Sequence, residues 1–163
     1  MKRIVIPYFW GLCCVLVALA CKNVADPTHR QSDQQLVEKA IINSIGWAQN
    51  KDIRLLYSVI ADDSSFLEVQ PGNRVVRGFH NFKKAEKFWM DSRFRAIRYE
   101  ISDLQINFSR SGDVAWFFCR LDDINEWEGA PANWENTRWT GVLEKRGGRW
   151  VIVQMHFSFG SEA

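Results

Sequence analysis

Three runs decide the fold: 114–127 (VAWFFCRLDDINEW), 134–145 (WENTRWTGVLEK) and 149–159 (RWVIVQMHFSF). Over much of their length apolar and polar residues alternate, the pattern of a strand with one face buried and one face wet. A fourth such run, about 96–109, precedes them. Ser109 to Asp113 and Lys145 to Gly148 carry turn residues, and Gly129 to Asn133 supplies a longer loop. Four strands joined in this way predict an antiparallel meander that fills the second half of the chain.

The first half reads as helices and a hairpin. Ser32 stands three residues before Gln35, the spacing of a capping box. Leu36, Val37, Ala40, Ile41, Ser44, Ile45 and Ala48 then recur at three- and four-residue intervals, which predicts an amphipathic helix over about 32–50. Asp52 is placed to cap a shorter helix through Ala61, with Leu55, Leu56, Val59 and Ile60 on its buried side. Asp62-Asp63-Ser64 stops it. Ser65 to Gln70 and Arg74 to Arg77 read as short strands around the turn Pro71-Gly72-Asn73. After Gly78, a third helix over about 79–91 carries the aromatic stripe Phe79, Phe82, Phe88 and Trp89, read as core. Three helices followed by a meander give an α+β domain, with the helices against one face of a bent sheet.

Residues 4–20 are uncharged and follow Lys2 and Arg3. A basic start, an apolar run broken by Pro7 and small residues before Cys21 form the three parts of a secretory signal rather than a spanning helix. Ala18-Leu19-Ala20-Cys21 resembles a bacterial lipobox, in which the cysteine is lipidated and becomes the first mature residue. The expected organisation is a lipoprotein signal peptide over 1–20, a tether over 21–31 and a folded domain over 32–163. An ordinary cleavage nearby and an uncleaved anchor are the alternatives. The lipid at Cys21 would hold the domain on a membrane of the bacterial envelope, with Lys22 favouring the outer membrane.

The chain has 163 residues, 47% of them hydrophobic and 25% charged, which excludes disordered and collagen-like classes. Cleavage at Cys21 removes two of 21 basic residues and none of 19 acidic ones, leaving a formally neutral domain. Without clustered positive charge, no nucleic-acid partner is expected. Cys13 and Cys14 leave with the signal, so Cys119 is the remaining thiol and reads as a buried small hydrophobe. No zinc-type cluster, nucleotide-cradling glycine loop or serine-nucleophile elbow is present, so neither metal nor cofactor is expected.

The order of elements resembles the nuclear transport factor 2-like superfamily and, within it, the SnoaL-like group that includes ketosteroid isomerase relatives. The likeness runs from about Leu36 to Phe159. It rests on Asn50-Lys51-Asp52 opening the second helix, Ala61-Asp62-Asp63 closing it, Gly78 before the third, and the tail from Gly148 to Ser158. It implies a cone: a strongly bent, mostly antiparallel sheet with three N-terminal helices on its concave face, a pocket between them, and a homodimer. Isomerase relatives carry a proton-transferring carboxylate five residues beyond the last acid of the Ala-Asp-Asp stretch, which is Glu68 here. Glu68 either faces the pocket as a base or points to water or an arginine. The family's oxyanion tyrosine and second acid correspond to Ser44 and Thr140, so a steroid isomerase is not implied.

Strand parity adds further candidates. Arg138 and Thr140 share one face of their strand, and Gln154, His156 and Ser158 share one face of the last. If both faces line the cone, these groups converge near Glu68, with His156 as a second candidate base. Leu121 to Trp139 holds three tryptophans and five acids, yet no calcium-loop pattern. Trp127 and Trp134 read as walls at the pocket mouth or as core and interface. Three functions stay open: a small-ligand binder, a cofactor-free isomerase, cyclase or dehydratase, and a dimerisation module.

Overall fold

The computed structural model describes residues 27–160, with side chains from residue 30 onward. The signal segment and the lipidation candidate Cys21 lie outside the described residues. Helix α1 spans Pro27–Asn50 and begins inside the stretch read as a tether, because the fixed φ of a proline suits the first helical position. Val37, Ala40, Ile41, Ser44 and Trp47 form its buried stripe, whereas Leu36, expected on that stripe, is exposed. Asp33, one turn before Val37, ties the start of the helix to the sheet: it accepts from Lys145 Nζ at 2.7 Å and from Trp150 Nε1 at 2.9 Å.

Helix α2, Ile53–Val59, starts at Asp52, whose carboxylate accepts from the Leu55 N–H at 3.1 Å, the capping expected of that residue. It ends earlier than Ala61, because Ile60 turns extended and bridges to Ile152, and Ala61 N–H donates to Ile152 O at 2.9 Å. Strands β1 (Leu67–Val69) and β2 (Val75–Arg77) form the short hairpin. The third helical segment is broken into α3 (Phe79–Phe82), a 3-10 turn (Lys83–Ala85) and α4 (Glu86–Trp89). The long strands are β3 (Phe94–Phe108), β4 (Val114–Trp127), β6 (Trp134–Arg146) and β7 (Arg149–Phe159), with a two-residue β5 (Ala130–Pro131) in the loop.

The sheet order is β2-β1-β7-β6-β4-β3, antiparallel throughout except where β1 runs parallel to β7. It curls into a half-barrel with the helices packed on it, the expected α+β architecture. Burial alternates as the period-two pattern requires: Ala115, Phe117, Cys119 and Leu121 of β4, Trp139 of β6, and Met155 and Phe157 of β7 are all buried. Register shifts between Leu121 and Asp123 and between Val142 and Leu143 mark bulges that bend the strands. At Gly141 the fit is closest: a Cβ there would lie 2.5 Å from the Phe117 ring and 2.7 Å from the Gln154 carbonyl. Among the described residues no helix is long and apolar enough to cross a membrane.

Candidate functional site

Between the curled sheet and the helices lies a cavity of about 730 Å³. The broken third helix forms one wall, since Phe82, Ala85, Phe88 and Trp89 all line it. That aromatic stripe, read from sequence as core, is therefore both core and wall at Phe82 and cavity wall at Phe88 and Trp89. Trp47 of α1 meets Trp89 edge-on at 5.5 Å, and Phe82 packs against Trp89 at 5.0 Å, so the wall is a continuous ring cluster. Trp134 and Phe157, 5.3 Å apart, form the sheet side. At the rim Phe88, 48% exposed, stacks on Trp127 at 4.8 Å, and the Arg93 guanidinium lies over the same indole at 4.5 Å.

Glu68 lines this cavity and is only 6% exposed. Of the two orientations open from sequence, the inward one holds, and no arginine forms a salt bridge with it among the described residues. Burial pushes its carboxyl above the usual range, because the charged form loses its water; the Gln70 amide and the Arg74 charge pull more weakly the other way. A second carboxyl, Asp123 on β4, also lines the cavity and is pushed up by burial, against a smaller opposing pull from the Asn125 side chain. Strands β7 and β6 separate Asp123 from Glu68, so the two acids stand on different walls. Ser44 lines the cavity too, but its hydroxyl donates to Ile41 O at 2.8 Å.

The remaining sequence candidates divide by face. Trp134 is on the wall and Trp127 is at the rim. Arg138, Thr140, Gln154, His156 and Ser158 do share one face, but it is the one opposite the helices. Thr140 pairs with His156 and Arg138 with Ser158 across the β6–β7 ladder, in alternation with the buried Trp139, Met155 and Phe157. Arg138 is exposed and donates from Nη2 to Phe159 O at 2.8 Å, while Thr140 and Gln154 line a separate shallow groove with Trp116. Their convergence with Glu68 is thus a correction. Parity groups the side chains correctly, but the apolar set faces the helices, because burying Met155 and Phe157 releases more free energy than burying a histidine and two polar neighbours.

Asp123 is the cavity carboxyl that sequence reasoning missed. It has the parity of Cys119 and Leu121, so a carboxylate falls in the row of buried apolar residues, and that was the available signal. Cys119 itself is buried and its thiol is pushed up to about 12, which leaves no thiolate at neutral pH. Among the described residues no group of three or more His, Cys, Asp or Glu side chains is placed to hold a metal ion.

Solved structures share this architecture at low sequence identity. A proposed dehydratase of the NTF2-like family from Streptomyces avermitilis superposes with a TM-score of 0.69 at 17% identity, covering 81% of this chain and 99% of that one. A type 2 hexachlorocyclohexane dehydrochlorinase gives 0.65 at 14% identity, covering 81% and 88%. An NTF2-like protein with a cystatin-like fold from Novosphingobium aromaticivorans gives 0.65 at 11%, covering 83% and 87%. No curated protein matches the sequence significantly. The sequence model of the SnoaL-like domain matches residues 37–162, which span the helices, the curled sheet and the cavity between them, and the chain belongs to that family.

Proposed function

We propose that the protein binds a small organic molecule in the cavity and that Glu68 exchanges a proton with it. The observation that carries this reading is a buried carboxyl, without a salt-bridge partner among the described residues, on the wall of an aromatic-lined space of about 730 Å³. That volume lies in the range of small-molecule sites, roughly 300–1,000 Å³. A carboxyl raised toward neutrality serves as acid or base at working pH, where an ordinary one is a weak base. The dehydratase and dehydrochlorinase that share the fold are named for eliminations, reactions in which a proton leaves the substrate.

Native mass spectrometry of the full chain tests binding through a copurifying small molecule of definite mass. With that molecule as substrate, Glu68→Gln is expected to lower turnover by roughly 10²–10⁴-fold, the usual contribution of a general acid or base. Full turnover by the variant rules out the proton-transfer role and leaves binding standing.

The reading also includes the address: Cys21 carries lipid and holds the domain on the bacterial envelope, at the outer membrane. Metabolic labelling with radioactive palmitate is expected to mark the wild type and not Cys21→Ala. A pairing module is favoured by one feature, Trp116, which is 46% exposed beside the groove opposite the cavity. Light scattering of Trp116→Ser against wild type tests whether that face joins two copies.

A further inference from the structure

The wall of the cavity away from Glu68 has its own chemistry. Asp123 stands directly opposite Trp134 in the β4–β6 register, and both line the cavity. Opposed residues project to the same face with their Cβ atoms about 5 Å apart, so carboxyl and indole are neighbours. Asn125, two residues on, lines the same wall and is 5% exposed.

The hydrogen-bonding capacity there is lopsided. The Asn125 N–H donates to Asn133 Oδ1 at 3.0 Å, its carbonyl accepts from the Ala132 N–H at 2.8 Å, and its Nδ2 donates to the Asp123 carbonyl at 3.3 Å. Its Oδ1 is buried without a partner. Turning the amide over would set that oxygen against the Asp123 carbonyl, so the orientation is fixed by its surroundings. Asn133 is committed too, since its Nδ2 donates to Glu135 Oε1 at 2.8 Å. With the Asn125 Oδ1 sealed from the cavity, the acceptor that faces it is the Asp123 carboxyl, which meets the Asn125 side chain but which no lysine or arginine pairs among the described residues. A buried acceptor left unmade costs on the order of 1–3 kcal/mol, and more for a charged one.

We propose that this corner is a subsite for the protonated amine of a small organic ligand, with its N–H groups donating to the Asp123 carboxylate beside the Trp134 ring. The apolar body then lies along Phe88 and Trp89 toward Glu68. An ammonium matches every feature. It donates to the carboxylate lone pairs that the Asn125 side chain leaves open, its charge offsets that of the half-buried carboxylate, and an aromatic face attracts it. A hydroxyl supplies a single donor and no charge. The inference rests on the cavity being a ligand site and adds the class of ligand.

Isothermal titration of the full chain in lipid nanodiscs, with empty nanodiscs subtracted, tests it. The probes are matched sets of benzene, naphthalene and anthracene rings, each with a two-carbon arm ending in an amine, a hydroxyl or a methyl group. The amine is expected to bind about 10-fold tighter than the alcohol, as a charge-assisted hydrogen bond implies. That preference is expected to vanish in Asp123→Asn and to persist in Asp122→Asn, whose carboxylate is engaged by the Asn136 N–H at 2.6 Å. If Asp123→Asn fails to fold, Asp123→Ser reads the same subsite. Equal binding of amine and alcohol, or a preference that survives both variants, overturns the amine subsite and leaves the cavity reading intact. If no member of any set binds, both fall.

Discussion

Glu68 sits on a three-residue strand with Leu67 and Val69 on either side, opposite Met155 of β7. In the folded chain its carboxyl holds a proton more firmly than the ordinary value of 4.5 implies. Between that value and the raised one, the folded state binds more protons than the unfolded state. The stability this group contributes is therefore fully present below 4.5 and is lost as pH rises through the folded pKa. Glu68→Gln, which cannot ionise, is expected to melt close to wild type at pH 4.5 and higher than wild type at pH 8. The difference is about 2–4 °C for each kcal/mol recovered in a chain of this size. Calorimetry across that window checks it, and a variant that melts lower than wild type at pH 8 contradicts the desolvation account. The offset from Asp63 located this residue in the sequence, but its inward orientation depends on pairing with β7, where Met155 stands opposite it from the far end of the chain.

The β6 strand shows how an element can be correct in outline and hidden in its consequences. Its boundaries follow from alternation and from the turn at Gly147-Gly148, and the strand is found at Trp134–Arg146. That Gly141 is the point where β6 passes close to the Phe117 ring is not visible in one strand, because both contacts come from other elements. Gly141→Ala is expected to destabilise the domain by roughly 1–3 kcal/mol, since the Phe117 ring must shift and the Gln154 carbonyl belongs to a strand that cannot. Urea unfolding measures this, and an unchanged midpoint means that the sheet yields there. The third helix departs further from its sequence reading. Its aromatic spacing predicts one amphipathic helix, but the segment is broken at the 3-10 turn Lys83–Ala85, and the break turns Phe88 and Trp89 toward open space.

For the molecule as a whole, the cavity exists because the sheet curls while the broken helix spans it without filling it. Ala85 lies on that wall, so Ala85→Trp places an indole in the cavity. Titration with the naphthyl amine probe is expected to show binding reduced at least about 10-fold, with the melting temperature within about 2 °C of wild type. Undiminished binding puts the ligand elsewhere. The sequence by itself determined the α+β class, the order and approximate bounds of nearly every element, the cap at Asp52 and the parity groups of each long strand. These are set by local periodicity and local chemistry, which a single chain segment displays in full. Tertiary structure alone decided which parity group faces the helices, that Glu68 and Asp123 share one cavity, and that His156 and Arg138 lie on the far side of the sheet. Those outcomes depend on bulges, sheet curl and contacts between residues far apart in the chain, where the burial of Trp139, Met155 and Phe157 outweighs any preference of the polar residues between them.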